Sequence, residues 1–218
     1  MREVTRGEAA ELAASIRAGR PHEVLAAREL PPLDMQPFVP PAARDGPFYA
    51  WDARRPRLHR AYVAPTAVLA GDVEVADDAG VYFGCALAAR GARIVIGARS
   101  NIQDNSVLDT DAQRGDLLIG EGVTVGHNVR MGAAAVGDDA LVGMASRVGD
   151  GVVIEPGGCI GAGAWVTAGS VIGAGWLWVG RPARRLRRVS PEERAQFDRG
   201  RDVYVGYAAA YRSGGAAG

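Results

Sequence analysis

Lysine is absent from this chain of 218 residues, so all 25 basic residues are arginines. Covalent chemistry on a lysine amine, such as Schiff-base formation, is therefore excluded. The arginines are balanced by 25 acidic residues, and a formal net charge of zero gives no electrostatic basis for general nucleic-acid binding. Only three histidines, His22, His59 and His127, are available as imidazole ligands or bases.

Cysteines and long apolar runs are scarce as well. The two cysteines, Cys85 and Cys159, lie far apart in the sequence and suggest no disulfide framework, and Cys85 falls at a small, inward position of the repeat described next. No apolar run approaches the length of a membrane span, and the N-terminus has no signal-type hydrophobic segment. These absences predict a cytoplasmic protein without membrane partners.

A six-residue period dominates what is present. From Val136 to Trp178 every sixth residue is aliphatic or aromatic, and the residue two positions earlier is small in most repeats. This period fits neither an amphipathic helix nor a β-hairpin meander, and it is typical of hexapeptide-repeat parallel β-helices. With two interruptions the pattern reaches back to Leu69, which gives eighteen hexads or about six coils. The earlier members are Leu69, Val75, Val81, Leu87, Ile96, Ile102, Leu108, Ile119, Val125 and Met131.

The two interruptions, residues 88–93 and 109–116, are where loops should leave the stack. Insertions in such repeats collect on one face, which is often the binding face. We therefore expect functional residues in these two segments.

The segments outside the repeat have helical signals. The capping-box spacing of Thr5 and Glu8 predicts a short helix up to about Ala18, and a second short helix is predicted over His22–Glu29. Six prolines between residues 31 and 47 predict an extended linker. The predicted organisation is an N-terminal arm (1–46), a β-helix (47–182), and a C-terminal helix and tail (183–218).

The C-terminal helix has a strong predicted start. Ser190 is suited to the N-cap, Pro191 to the first helical position and Glu193 to the third. Aromatic residues then recur on one side of the helix, which predicts packing against a neighbouring face and not a cofactor site. They are Phe197, Tyr204, Tyr207 and Tyr211.

From Pro47 onward the motifs resemble the γ-class carbonic anhydrase family. The matching motifs are Phe48-Tyr49-Ala50-Trp51, Val63-Ala64-Pro65-Thr66-Ala67, Gly71-Asp72-Val73, Asn101-Ile102-Gln103-Asp104-Asn105-Ser106-Val107-Leu108, Val123-Thr124-Val125-Gly126-His127, Leu141-Val142-Gly143-Met144 and Gly180-Arg181-Pro182-Ala183. The ending looks most like the branch that contains the phenylacetic acid degradation protein PaaY and its carnitine-operon relative. The resemblance implies an all-β, left-handed parallel β-helix and a homotrimer with sites between subunits.

The family's zinc ligands do not carry over. The three histidine positions correspond here to Asp109, His127 and Gly132, so one imidazole remains. Zinc that activates a water needs three protein ligands. An Arg-Gly-Asp of the family reads Ala88-Ala89-Arg90 here, which puts a basic residue where the acid was. The sequence therefore predicts no metal, no other cofactor and no carbonic anhydrase activity.

A metal-free reaction remains open. In the family, the positions of Asp109 and His127 approach each other across a subunit boundary, and a carboxylate that orients an imidazole makes a general base. The alternative for this pair is an interface ion pair. Arg90 and Arg130 could bind a carboxylate or acyl ligand through their guanidinium forks, or could pair with nearby aspartates. Gln103, Asp104 and Met131 complete the predicted ligand contacts.

Two other functions are kept as alternatives. The first is a non-catalytic trimeric scaffold or partner-binding protein. The second is a coenzyme A-dependent acyltransferase or thioesterase, because the end of the repeat resembles the terminus of hexapeptide acyltransferases. In that case arginines after the repeat would suit the phosphates of the cofactor, although a solvated cap is the simpler interpretation. These are Arg181, Arg184, Arg185, Arg187 and Arg188.

Overall fold

A computed structural model describes residues 48–51 and 53–214, so the predicted N-terminal helices and most of the proline-rich linker lie outside the described residues. The described chain winds into a parallel β-solenoid of about seven turns, followed by one C-terminal helix. The strands are β1 (Phe48–Tyr49), β2 (Arg57–Leu58), β3 (Tyr62–Val63), β4 (Val68–Val75), β5 (Gly80–Val81), β6 (Ala86–Ile96), β7 (Asn101–Ile102), β8 (Val107–Asp111), β9 (Leu117–Ile119), β10 (Thr124–Val125), β11 (Arg130–Met131), β12 (Ala134–Val136), β13 (Leu141–Val142), β14 (Arg147–Val148), β15 (Val152–Ile154), β16 (Cys159–Ile160), β17 (Trp165–Val166), β18 (Val171–Ile172), β19 (Trp176–Gly180) and β20 (Ala183–Arg188). The helix α1 runs over Pro191–Arg212.

Three faces make up the solenoid. Face 1 stacks β1, the first half of β4, the first half of β6, β8, β11, β14 and β17. Face 2 stacks β2, the second halves of β4 and β6, β9, β12, β15 and β18. Face 3 stacks β3, β5, β7, β10, β13, β16 and β19, and β20 adds to it antiparallel. The predicted class, a parallel β-helix of hexapeptide repeats with a C-terminal helix, is confirmed.

Because the strands pair in register, the inward aliphatic residues of the hexads form one stacked column on each face. Leu87 pairs with Leu108, Ile96 with Ile119 and Ile102 with Val125, so each aliphatic side chain lies between those of the turns above and below. The columns also take in Phe48, Leu58 and Val63, which form a seventh turn. The sequence predicted about six coils, and the structure adds this first turn, whose spacing is irregular and whose Leu58 is 37% exposed.

Small inward residues allow this close stacking. Cys85 is buried, as predicted, and burial raises the pKa of its thiol to about 11. Cys159 is also buried, and both cysteines are free thiols. In the described part of the chain, no helix has both the length and the apolar character that a bilayer crossing needs.

The helix α1 begins where the sequence predicted. The Ser190 hydroxyl accepts a hydrogen bond from the Glu193 backbone N–H at 3.2 Å, and the Glu193 carboxylate accepts one from the Ser190 backbone at 2.9 Å. The helix contacts strands of face 3, where Tyr204 packs edge-to-face on Tyr82 and Tyr211 stacks on Tyr62, with ring centroids 5.0 Å apart in each pair. This confirms the predicted packing role for these two tyrosines.

Candidate functional site

Both interruptions of the repeat lie at the corner where face 1 turns into face 2. The strand β6 continues without a break through the first interruption, whereas β8 ends in a tight turn at the second. Leu108 pairs with Met131, so Asp109 and Gly132 lie on neighbouring turns at this corner. Two of the three positions that correspond to the family's zinc ligands therefore come together within one chain.

A hydrogen-bonded turn shapes the second interruption. The Asp111 carboxylate accepts hydrogen bonds from the backbone N–H groups of Gln113 and Arg114, at 3.0 and 3.1 Å. The backbone hydrogen bond from Arg114 is the main reason that the pKa of Asp111 is lowered. Gly115 closes the turn with a φ of 97°, a conformation that favours glycine. The turn directs the Arg114 side chain back toward Asp109.

Asp109 lies between two guanidinium groups. Arg90 donates to its carboxylate at 2.8 Å, and Arg114 donates to it at 2.9 Å. For Arg90 the structure therefore shows the ion pair that the sequence left open as an alternative to ligand binding. Within the described part of one chain, the Asp109 carboxylate contacts arginines and not an imidazole.

The position of Gly132 is filled by a neighbour. A Cβ atom added to Gly132 would lie 2.0 Å from Oδ1 of Asp150, which is far inside van der Waals contact. Asp150 is held there because the same oxygen accepts a hydrogen bond from the backbone N–H of Ala133 at 2.9 Å. A side chain at position 132 would therefore have to displace the Asp150 carboxylate.

His127 lies at the corner where face 3 turns into face 1. Its Nδ1 atom is 3.3 Å from Oδ2 of Asp104, and its Nε2 atom is 3.1 Å from the Tyr204 hydroxyl. Asp104 is in turn held by the backbone N–H of Phe83 at 2.9 Å. Burial raises the pKa of Tyr204, so its hydroxyl stays protonated near neutral pH. The carboxylate that contacts this imidazole within the chain is Asp104.

Gln103 and Met131, which the sequence placed among the ligand contacts, are buried in the chain. Gln103 is 7% exposed and donates to the Asn101 side chain at 3.0 Å, which in turn donates to the Thr124 hydroxyl. Met131 is 3% exposed and belongs to the core column of face 1. Each position therefore has a structural role, and a ligand contact at either one stays a prediction.

A cavity of about 560 Å³ lies along the outer side of face 1. Arg130, Arg147 and Trp165 stand in one row across it, because β11, β14 and β17 pair in register. The Arg147 guanidinium is 5.5 Å from the centre of the Trp165 ring. Asp109, Arg114, Gly132 and Asp150 border the cavity at its corner. The cavity therefore extends from the corner at Asp109 and Gly132, where the family has metal ligands, to the row of outward side chains on face 1.

Arg130 and Arg147 have no acidic partner among the described residues. Among the residues that the structure describes, no carboxylate lies within salt-bridge distance of either guanidinium, whereas Asp109 and Asp150 at the rim both lie near Arg114. Of these cavity residues, Arg130 was predicted from the sequence, whereas Arg147 and Trp165 were not. Their outward orientation could have been predicted from the sequence, because Arg147 and Trp165 each directly precede an inward aliphatic residue of the repeat.

The residues present do not fit a zinc site of the family's kind. Asp109 is bound by two arginines, the space at Gly132 is filled by Asp150, and both nitrogens of His127 have partners within the chain. Within the described ranges, no cluster of three or more histidine, cysteine or acidic side chains could hold a metal ion. The residues at positions 109, 127 and 132 therefore do not provide the donor atoms that tetrahedral zinc coordination needs.

Comparisons with known proteins agree with the motifs. No protein-family model matches the chain. A carbonic anhydrase of Geobacillus kaustophilus is 39% identical over 158 residues, which are 72% of this chain and 86% of that protein. The mitochondrial gamma carbonic anhydrase 3 of Arabidopsis thaliana is 48% identical over 156 residues, which are 69% of this chain but only 60% of the plant protein.

A solved structure matches as well. The hexapeptide transferase family protein of Anaplasma phagocytophilum aligns with a TM-score of 0.70 and 33% identity, over 75% of this chain and 97% of that chain. The chain therefore shares its solenoid fold with a solved hexapeptide-family structure. The narrower placement in the PaaY branch stays a prediction. On motifs, fold and sequence identity together, the chain belongs to the γ-carbonic anhydrase-like family of hexapeptide-repeat proteins.

Proposed function

We propose that this chain forms a homotrimer without carbonic anhydrase activity and binds a small carboxylate in the cavity on face 1. The observation that carries the proposal is the adjacent pair Arg130 and Arg147, which face the cavity on paired strands without an acidic partner among the described residues. Like charges directly opposite each other on neighbouring strands are destabilising. An anion between the two guanidinium groups would remove that penalty.

The rest of the cavity indicates the kind of anion. Arginine forks match the geometry of a carboxylate, which can accept two parallel hydrogen bonds. Trp165 is 49% exposed and adds an aromatic surface one strand beyond Arg147, and Val107 adds an aliphatic one on the other side. These surfaces suit the hydrocarbon part of the ligand. A carboxylate with a flat or aliphatic body fits the cavity better than a bare inorganic anion.

The trimer is supported by the placement of the corners. Asp109 lies at the edge of face 1 that leads into face 2, and His127 lies at its opposite edge. The width of a face separates them within one chain, so the predicted contact between them requires a second copy. Light scattering should give three times the chain mass of 22.8 kDa, and a mass of one chain would contradict the trimer.

His127 does not border the cavity of its own chain, so any chemistry on the bound carboxylate would use His127 of a neighbouring subunit as general base. The Asp104 carboxylate beside Nδ1 orients the ring, which is the arrangement that a neutral imidazole needs in order to accept a proton at Nε2. The Tyr204 hydroxyl now occupies Nε2, so a substrate would have to displace it. Contact of His127 with Asp109 of a neighbouring subunit stays a prediction, and so does the cytoplasmic location.

The coenzyme A alternative has less support. Among the arginines after the repeat, Arg185 and Arg188 lie over the Trp176 ring at 4.5 and 4.4 Å, and Arg187 binds Glu193 at 2.7 Å. These side chains are already engaged and are not held open for phosphates. A scaffold without a ligand remains the second candidate, favoured by the exposed apolar side chains of face 2, Leu118, Val153 and Val171.

Calorimetric titration with benzoate and hexanoate tests the carboxylate proposal. Replacement of Arg130 or Arg147 by Ala should weaken binding at least about tenfold, which corresponds to about 1.4 kcal/mol. Arg199→Ala is the matched control, since Arg199 is exposed on α1 and does not border the cavity. Equal weakening by Arg199→Ala would show a non-specific charge effect. No heat with either ligand at millimolar concentration would contradict the proposal and favour the scaffold.

A further inference from the structure

Arg114 lies between the acidic residues at the corner of faces 1 and 2. It donates to Asp109 at 2.9 Å and to Asp111 at 2.9 Å, and its third nitrogen is 4.0 Å from Oδ1 of Asp150. Its side chain is 28% exposed, so the guanidinium is partly shielded from water. One cation thus faces three carboxylates.

This cation lies between the two positions from which a metal would be held within one chain. Asp109 stands at the first of these positions, and Asp150 fills the side-chain space of the second, Gly132. Both carboxylates face Arg114. A divalent ion placed between positions 109 and 132 would therefore lie against the positively charged Arg114 guanidinium and not in a vacant coordination site.

The turn at residues 111–115 is what holds Arg114 there. The Asp111 carboxylate binds the Arg114 backbone N–H as well as its side chain, and the Thr110 hydroxyl donates to the Gly115 carbonyl. Without a cation among them, the carboxylates of Asp109, Asp111 and Asp150 would face one another with uncompensated negative charge. The turn supplies this positive charge, because it holds the Arg114 guanidinium among the three carboxylates.

We propose that the Arg114 guanidinium is the resident cation of this site: it occupies the place of the divalent metal, and together with Asp150 it excludes metal ions. The inference does not depend on which anion the face 1 cavity binds. It accounts for the simultaneous presence of a carboxylate at position 109, a glycine at position 132 and an aspartate at position 150. Restoring histidines alone should therefore not restore a zinc site.

Zinc binding by three variants tests the proposal, with a chromophoric chelator as competitor for Zn²⁺. Asp109→His/Gly132→His keeps Arg114 and Asp150 and should bind Zn²⁺ weakly. Adding Arg114→Met and Asp150→Ala should tighten binding at least about tenfold, which is the scale on which residues around a metal site act. Adding Arg93→Met instead is the matched control, because Arg93 is bound to Asp116 of the same loop at 2.7 Å but does not contact Asp109. It should leave the affinity unchanged.

Three results would overturn the proposal. These are equal zinc affinity with and without Arg114 and Asp150, an equal gain from Arg93→Met, and no zinc binding by any variant that keeps the melting temperature and mass of the parent chain. A single change covers the case in which the four-residue variant unfolds. Arg114→Met alone removes the shared cation from Asp109, Asp111 and Asp150, whose oxygens suit Mn²⁺. The folded variant should bind Mn²⁺ at concentrations at which the parent chain does not, and equal binding by the two would contradict the proposal.

Discussion

Oδ1 of Asp150 lies where the side chain of residue 132 would begin, because a Cβ atom built on Gly132 would be only 2.0 Å from it. The backbone at Gly132 is not in the left-handed region, so the glycine is needed for space and not for its φ angle. Asp150 occupies the volume into which a larger side chain at 132 would project. A side chain at 132 and the Asp150 carboxylate in its present position therefore exclude each other.

The coupling between these two positions is testable. Gly132→Ala should destabilise the chain by about 1–3 kcal/mol, because the new Cβ forces the Asp150 carboxylate off the Ala133 N–H. In an Asp150→Ala background the same change should cost much less, and chemical denaturation of the four proteins of this double-mutant cycle measures the difference. An equal cost of Gly132→Ala in both backgrounds would show that Asp150 does not fill the space.

The sequence was sufficient to predict the solenoid. Each turn has three faces and each face takes one hexad, so an inward aliphatic residue recurs at every sixth position. Each predicted hexad residue lies in a core column. The first turn escaped detection because Phe48, Leu58 and Val63 are separated by irregular steps and do not follow the six-residue count.

The alternation of inward and outward residues predicts a contrast between two neighbouring leucines. Leu117 is fully buried in β9, whereas Leu118 on the same strand is 40% exposed on face 2. Leu117→Ala should cost about 2–5 kcal/mol of unfolding free energy, and Leu118→Ala less than about 1 kcal/mol. Urea denaturation of both variants measures the contrast. A large loss for Leu118→Ala, accompanied by a lower mass in solution, would instead place face 2 in the subunit interface.

The site was less accessible to sequence reasoning than the fold. Asp109, His127 and Arg90 were found because they stand at motif positions, but their partners come from elsewhere in the chain. Tyr204 reaches His127 from a helix 77 residues away, and Arg114 reaches Asp109 only through the local turn. A repeat fixes which residues share a corner, whereas a helix docked on the outside leaves no periodic trace in the sequence.

The contact between Tyr204 and His127 can be probed chemically. Tyr204→Phe keeps the ring that packs on Tyr82 but removes the hydroxyl from Nε2 of His127. We expect faster modification of His127 by diethyl pyrocarbonate, measured by mass spectrometry, with less than about 1 kcal/mol change in unfolding free energy. Tyr207→Phe is the control, since Tyr207 is 44% exposed on the same helix. The same acceleration in the control would show that the helix had loosened generally.

The attachment of α1 should depend on pH through Glu193. Its carboxylate accepts two hydrogen bonds from Arg187, at 2.7 and 2.8 Å, and these lower its pKa from the ordinary 4.5 to about 2. Because the folded-state pKa is depressed, the stabilisation is fully present above the unfolded-state value and is lost as the pH falls from about 4.5 to about 2. Glu193→Gln, which cannot ionise, should therefore be less stable than the parent chain near neutral pH, and the difference should narrow as the pH falls from about 4.5 through about 2. Urea denaturation followed by helical circular dichroism across this range measures it, with Glu121→Gln as the control because no ion pair of Glu121 is seen among the described residues. A stability difference between Glu193→Gln and the parent chain that stays constant with pH would mean that the carboxylate acts only as a neutral hydrogen-bond acceptor in the cap.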